Sequence, residues 1–268
     1  MPISRTNGTD IYYEKAGTGP ALILLHPAPY DHRCWLYQVA HFSPRFTTVA
    51  IDLRSLGRSG KPTTPFTARD VCNDVLGVLA DEGISKAVIM GCSFGSKVSL
   101  TLSIQRPDMF QATILAGGIS GTQHNLDFHI PWWREQREAG TVAEAHRIQL
   151  LKGVTSWWAE TPIGRYLIET FNDCGKQIDA DSLVRLYEAL LPHDLTPHLA
   201  TFKTPLLIIN GEHDPASPGG ERTASLVAHT ERKILSGLGH CSFLEGPAEF
   251  NAVVEGFLTG KGLWPAAG

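Results

Sequence analysis

Apolar positions along the chain follow two patterns. Short runs with few polar residues occur at Ala21 to Leu25, Phe46 to Ile51, Ala87 to Met90, Ala112 to Ala116 and Pro205 to Asn210. An unbroken apolar run suits a strand covered on both faces, as in a parallel sheet. Between the runs, apolar residues recur at helical spacing. Val71, Val75, Leu76, Val78 and Leu79 follow Thr67, an N-cap residue type, and Glu82-Gly83 closes that helix. Further helices are predicted from Trp35 to His41, from the turn at Ser93 to about Gln105 with Pro107 as the stop, near Gly220 to Ala228, and from Pro247 to Leu258. A short strand is predicted at Lys233 to Leu235. Residues 2–15 alternate around Asn7-Gly8, with Ile11-Tyr12-Tyr13 beyond, which is a hairpin signal, and Gly260 to Gly268 reads as a loose tail.

Strands and helices in alternation indicate βαβ units and a mostly parallel sheet. The alternation fails between residues 120 and 199. Strand character is scarce there, and helical stretches appear at Thr141 to Leu151 and Asp181 to Leu190. The sequence therefore predicts an α/β core domain of residues 1–119 and 200–268, interrupted by a helical cap of residues 120–199. No internal repeat is visible.

Composition narrows the partners. The formal net charge of −4 over 268 residues gives no electrostatic support for a nucleic-acid or acidic-membrane partner. Cys34, Cys72, Cys92, Cys174 and Cys241 form no CxxC pair, and an odd, scattered set favours free thiols in a reducing compartment. Met1-Pro2-Ile3-Ser4-Arg5 has no apolar leader character, and no apolar run approaches the ~18 residues of a membrane span. The expectation is a soluble, cytoplasmic protein that meets a small-molecule substrate; homo-oligomerisation stays open.

The chemistry centres on Gly91-Cys92-Ser93-Phe94-Gly95, set between a predicted strand and a predicted helix. A serine in so sharp a turn is strained, and flanking glycines leave room where strand and helix nearly touch. The helix also aims its first amides at the same point. A serine hydroxyl is a weak nucleophile that needs a base, and the base needs an orienting acid. In parallel sheets reactive groups collect beyond the carboxyl ends of strands. Two such loops hold candidates: Gly211-Glu212-His213-Asp214-Pro215 and Leu238-Gly239-His240-Cys241.

The order Ser93, Asp214, His240 resembles that of the α/β-hydrolase superfamily. Further matching segments are His26-Pro27-Ala28-Pro29, Asp52-Leu53-Arg54 and Gly57-Arg58-Ser59, so the resemblance spans nearly the whole chain. It implies a mostly parallel, eight-stranded-type sheet flanked by helices. It also implies that Ser93 attacks an acyl carbon, His240 relays the proton and Asp214 fixes the imidazole tautomer. Glu212 is the rival acid; the loop after Ala116 offers only Gly117-Gly118 and no acid until Asp127. The oxyanion hole would use the Phe94 amide and one from the His26 loop. Family members usually show His-Gly where this chain has His26-Pro27. Since proline lacks an N–H, the second donor narrows to Ala28, with the Tyr30 hydroxyl as a helper.

Other polar residues carry blander readings. His26 braces the oxyanion loop; His32 and His41 are surface or packing residues; His193, His198 and His229 are structural; His124 and His129 begin the cap and face substrate or solvent. No histidine pair shows helical ligand spacing with an acid, so no metal is expected. Cys92 and Cys241 are packing residues, and Asp52 and Arg54 make loop contacts. No phosphate-binding glycine motif is present, and no cofactor is expected.

The cap holds Phe128, Trp132, Trp133, Trp157, Trp158, Tyr166, Phe171 and Tyr187. An aromatic roof suits a small, largely apolar or cyclic substrate, with Tyr30, His129, Trp132, Trp133, Trp157 and Trp158 as candidate contacts. The leading expectation is a serine hydrolase of a carboxylic ester or lactone. Carbon–carbon bond hydrolysis, a cofactor-free haloperoxidase or perhydrolase activity, and a ligand receptor on the same fold are the rivals. Dehalogenases and epoxide hydrolases use an aspartate nucleophile, which Ser93 argues against.

Overall fold

The computed structural model describes residues 2–5, 7–118, 120–121, 126–173 and 177–266. Of the expectations above, those for His124 and Cys174 lie outside the described residues. The strands are β1 (Ile3–Ser4), β2 (Ile11–Ala16), β3 (Ala21–Leu25), β4 (Thr47–Ile51), β5 (Ala87–Cys92), β6 (Phe110–Ala116), β7 (Leu206–Gly211) and β8 (Thr230–Leu235). They form one sheet in the order β1-β2-β4-β3-β5-β6-β7-β8. β1 with β2 and β2 with β4 pair antiparallel; β4 with β3 and every later pair in this order are parallel. The expected hairpin exists, with Ile3 opposite Tyr12 and a loop longer than two residues.

The core helices are α1 (Leu36–Phe42), α2 (Ala68–Asp81), α3 (Phe94–Gln105), α9 (Ser217–Ser225), α10 (Ser242–Glu245) and α11 (Pro247–Gly260). Thr67 caps α2 in a reciprocal box with Asp70, whose carboxylate accepts the Thr67 amide at 2.8 Å. The unbroken apolar strands now have a physical reason. Leu22, Leu24, Val88 and Met90 pack with Trp35, Phe42, Phe250 and Val254 on one face. Ile23, Leu25 and Ile89 pack with Val71, Val75, Val98 and Leu102 on the other. With period-two side-chain alternation, both faces must be apolar, and each fully buried Leu or Ile contributes about 1.5–3 kcal/mol.

β8 is an edge strand and starts three residues before the predicted stretch. Glu231 and Arg232 interrupt its apolar pattern because only part of an edge strand is covered. Between β6 and β7 lie the helices α4 (Leu126–Glu138), α5 (Val142–Lys152), α6 (Ser156–Ala159), α7 (Pro162–Asn172) and α8 (Ala180–Leu190). α4 packs on α8, and α5 on α4 and α7. Leu195 and Leu199 pack with Leu100, Leu115, Leu206 and Ile208, so the chain rejoins the core before residue 200. The buried Lys97 of α3 ties the two crossings together, donating to Gly121 O at 3.1 Å and to Leu191 O at 3.2 Å.

Candidate active site

Strand β5 and helix α3 meet at Ser93, whose φ of 52° and ψ of −111° lie in the left-handed half of backbone space. Few L-residues occupy that region without surrounding structure to hold them there. The turn closes so tightly that a Cβ at Gly91 would sit 2.6 Å from the Ser96 nitrogen, so glycine is required. Ser93 N donates to Ala116 O at 3.0 Å, which anchors the turn to β6. Ser93 Oγ makes no hydrogen bond among the described residues.

The loops after β7 and β8 converge on one another. Asp214 Oδ1 accepts from His240 Nδ1 at 2.7 Å and from the Ala216 amide at 2.8 Å, and Asp214 Oδ2 accepts from Asn210 Nδ2 at 2.8 Å. Burial opposes ionisation of this carboxyl, yet the His240 charge and these hydrogen bonds outweigh it and hold its pKa down. His240 responds in the opposite sense. Burial alone would lower its pKa, but the Asp214 charge and hydrogen bond raise it to about 9. Backbone geometry makes the approach possible. Gly117 has φ 56°, and a Cβ there would lie 2.5 Å from His240 Nδ1. The rival acid Glu212 is used elsewhere, accepting from Ser236 Oγ at 2.8 Å and Gly237 N at 2.9 Å.

Ser93, Phe94, Ala28, Tyr30 and His240 all line one cavity of about 730 Å³. Phe94 opens α3, so its amide has no partner within the helix. Neither the Phe94 nor the Ala28 amide donates to another described residue. The His26 loop is braced from the core side, as expected. Leu53 N donates to His26 Nε2 at 3.0 Å, and His26 Nδ1 then donates to Pro27 O at 2.9 Å. The Ala28–Pro29 peptide is cis.

The expected roof needs correcting. None of Trp132, Trp133, Trp157 and Trp158 lines the cavity. Trp133 is fully buried among Leu183, Leu186 and Leu190, and Trp158 packs with Leu150, Val154 and Leu167. Trp157 is 52% exposed and donates to Gly237 O at 3.1 Å. The rings of Trp133 and Trp158 pack the helices between β6 and β7 against their neighbours. The cap instead presents His129, Gln149, Lys152 and Tyr187, and the crossings add Ser120, Asp194 and Thr196. Tyr187 sets its ring edge-on to Phe94 at 4.7 Å. Tyr30 also needs correcting as an oxyanion helper, since its hydroxyl is engaged with Leu150 O at 3.1 Å. Burial followed by the Lys152 charge lowers the pKa of His129.

Sequence reasoning passed over His146, Lys152 and Arg222. His146 is fully buried on α5, although histidine is a polar residue type and nothing in its neighbours marks it. His32 is also more deeply placed than a surface residue. Its Nδ1 donates to Asp52 Oδ1 at 2.8 Å, and that bond and charge outweigh burial and raise its pKa. Asp31, His32 and Asp52 bring potential ligand atoms within 4.8 Å of one another. Asp52 already accepts from His32 N at 2.7 Å and Arg58 N at 2.8 Å, and Asp31 from the Arg33 guanidinium at 2.9 Å. Lone pairs committed to N–H donors make this a structural polar cluster.

Comparison with known proteins places the chain among hydrolases. Residues 22–253 match the profile described as "Alpha/beta hydrolase family". The chain is 26% identical over 241 residues to 3-oxoadipate enol-lactonase 2 of Acinetobacter baylyi, covering 88% of this chain and 87% of the other. It superposes on the enol-lactonase of Burkholderia xenovorans LB400 with a TM-score of 0.89 at 25% identity, over 96% of this chain and 100% of that one. An esterase of Thermogutta terrifontis, 17% identical, shares the fold with a TM-score of 0.87 over 97% and 98% of the two chains.

Proposed function

The chain belongs to the alpha/beta hydrolase family, and from that premise we propose that it is a serine hydrolase cleaving a carboxylic ester or lactone. The 2.7 Å bond between His240 and Asp214, in a cavity that Ser93 also lines, carries this reading. Neutral His240 takes the Ser93 proton as Oγ bonds to the acyl carbon. The carbonyl electron pair moves onto oxygen, where the Ala28 and Phe94 amides hold the developing charge. Collapse of that intermediate expels the alkoxide, which leaves with the proton from His240. A water then repeats the sequence on the acyl-serine and frees the acid. Asp214 stabilises the imidazolium that forms in each half.

Ser93 Oγ needs no ground-state hydrogen bond to His240 for this role, because catalytic contacts tighten when substrate binds. The size of the cavity and the wall formed by Tyr187 and Phe94 fit a small acyl group. The exposed cations Lys152 and Arg222 line the cavity, with the Asp194 carboxylate offsetting part of the Arg222 charge, and favour a substrate that carries a polar or acidic substituent near Lys152 over a wholly apolar one. In the test, wild type and Ser93→Ala are compared on p-nitrophenyl esters, small lactones and a fluorophosphonate probe. The expected result is turnover and labelling in the wild type only, with a loss on the order of 10⁶ in kcat for the variant. Ligand binding without turnover or Ser93-dependent labelling would replace the hydrolase with a receptor.

A further inference from the structure

The oxyanion loop has an unusual mechanical problem. Pro27 and Pro29 flank Ala28, so the three residues carry one N–H between them. With so few donors, the loop is held chiefly through its carbonyls. Pro27 O is held from within the loop, by Tyr30 N at 3.0 Å and His26 Nδ1 at 2.9 Å. Pro29 O is held from the cap, by His146 Nε2 at 3.1 Å.

We propose that His146 is a positioning residue for the proposed oxyanion hole: the cap helix α5 fixes the Ala28 amide through the His146–Pro29 hydrogen bond. This rests on the reading of the cavity as a serine hydrolase site. His146 has no exposed surface, so solvent does not compete for the bond. Burial lowers its pKa, and a neutral ring donating from Nε2 leaves Nδ1 as an acceptor. Asn172 Oδ1 lies 3.3 Å from Nδ1, and with the carboxamide turned over its NH₂ donates to that acceptor. His146 thus lies between Asn172 of α7 and the loop.

The same helix reaches the other half of the site. Besides Tyr30 Oη on the oxyanion-loop side, which donates to Leu150 O at 3.1 Å, Cys241 N, next to His240, donates to Gly153 O at 2.7 Å. Beyond Gly153, Thr155 N and Gly239 N share the Glu245 carboxylate, at 3.0 and 2.9 Å. Thus α5 and the residues just after it contact both the oxyanion loop and the base loop, and His146 is the α5 side chain that reaches the oxyanion loop, beside the Tyr30–Leu150 O bond. In this arrangement the cap takes part in catalysis by holding a core loop, besides walling the substrate.

The experiment compares wild type, His146→Leu and His146→Gln. Leucine fills space without a donor; glutamine restores one. The expected result for His146→Leu is a fall of about 10- to 100-fold in kcat, with KM changed far less, as for a weakened transition-state contact. Affinity for an alkyl boronic acid, whose tetrahedral adduct places an oxygen in the hole, falls in parallel. His146→Gln recovers most of both. Hydrogen exchange at the Tyr30 amide, which needs no turnover, accelerates in His146→Leu. Equal losses in kcat and in active fraction, with unchanged boronate affinity per active site, would reduce His146 to a folding residue and overturn the proposal. Unchanged Tyr30 exchange in His146→Leu would also overturn it. Absence of Ser93 labelling in wild type would instead refute the hydrolase reading, while the exchange measurement still decides whether His146 holds the loop.

Discussion

The cavity has two walls made in different ways. The core wall, with Ala28, Ser93, Phe94 and His240, is built from turns at the carboxyl ends of parallel strands. Its groups are placed by the sheet: Ser93 N is tied to Ala116 O of β6, and His240 is held by the Asp214 carboxylate. The cap wall, with His129, Gln149, Lys152 and Tyr187, is built from helix faces, and what a helix shows depends on which neighbours it packs against. One wall is set by topology and the other by packing. Substitutions on the two sides should therefore fail differently: core changes lose rate, and changes in the helices between β6 and β7 lose stability or substrate preference, except at His146, which reaches across to the core wall through Pro29 O.

The largest effect tests the core wall. Asp214→Asn keeps the shape but offers His240 Nδ1 an amide in place of a carboxylate, which favours the wrong tautomer. A loss of about 10⁴-fold in kcat is expected with a small change in KM and melting temperature. Steady-state kinetics beside a thermal melt check this. A loss below about tenfold would hand the acid role to another group and erase the contrast between the walls.

Next comes Trp133 in the cap. It is fully buried between α4 and α8, so Trp133→Ala should cost about 3–5 kcal/mol, read by denaturant unfolding. Trp157→Ala, at a half-exposed ring with one hydrogen bond to Gly237 O, should cost about 1 kcal/mol. A rate loss per folded molecule in Trp133→Ala as large as that of Asp214→Asn would mean that the two walls are not separable.

These two tryptophans also illustrate what the chain discloses before it folds. Strand runs such as Ala21 to Leu25 are apolar because helices cover both sheet faces, and the turns where they end follow directly. The placement of Ser93, Asp214 and His240 just beyond strand ends was legible for that reason. Cap helices carry no such rule. In α5 the polar His146 is wholly buried while Ile148 is 45% exposed, so apolar periodicity points to the wrong face. Trp-Trp at 132–133 and 157–158 marks a place where rings are needed, and neighbouring residues on a helix point in different directions, one inward and one out. Neither the inward direction nor the target of the buried ring is written locally. The same holds for the oxyanion loop: Pro27 and Pro29 left Ala28 as the single donor, but the brace from His146 lies more than a hundred residues away in sequence.

The pH response separates rate from stability within the core wall. His240 has its pKa raised from 6.5 to about 9 by Asp214. A base must be neutral to act, so kcat/KM should rise with pH and level off above about 9. Stability moves the other way. The folded-state pKa lies above the unfolded one, so the stabilisation from the His240–Asp214 pair is full below about 6.5 and is lost as pH rises through 9. On the order of 3 kcal/mol is at stake. A pH–rate profile and melting temperatures measured on the same samples should therefore run in opposite directions between pH 6.5 and 9. Asp214→Asn should abolish both slopes. A rate profile levelling near pH 6.5 would show that the pair is weaker in solution than its 2.7 Å bond implies.

The smallest effect lies at the mouth of the cap wall, where Lys152 is held over the Trp132 and Phe128 rings at 5.5 and 5.7 Å. The rings restrict the ammonium without neutralising it, and no carboxylate pairs with it among the described residues. Its charge is exposed, so its pull on an acidic substrate is screened by water and salt. Lys152→Met should lower the preference for a hemisuccinate ester over a neutral ester of equal length by about threefold at low salt. In ~0.5 M salt the wild type and the variant should converge, because the Debye length there is only about 4 Å. Lys152→Arg should match the wild type. A preference that persists in high salt and vanishes in Lys152→Met would require direct contact with the acidic group, and the cap wall would then recognise substrate as locally as the core wall attacks it.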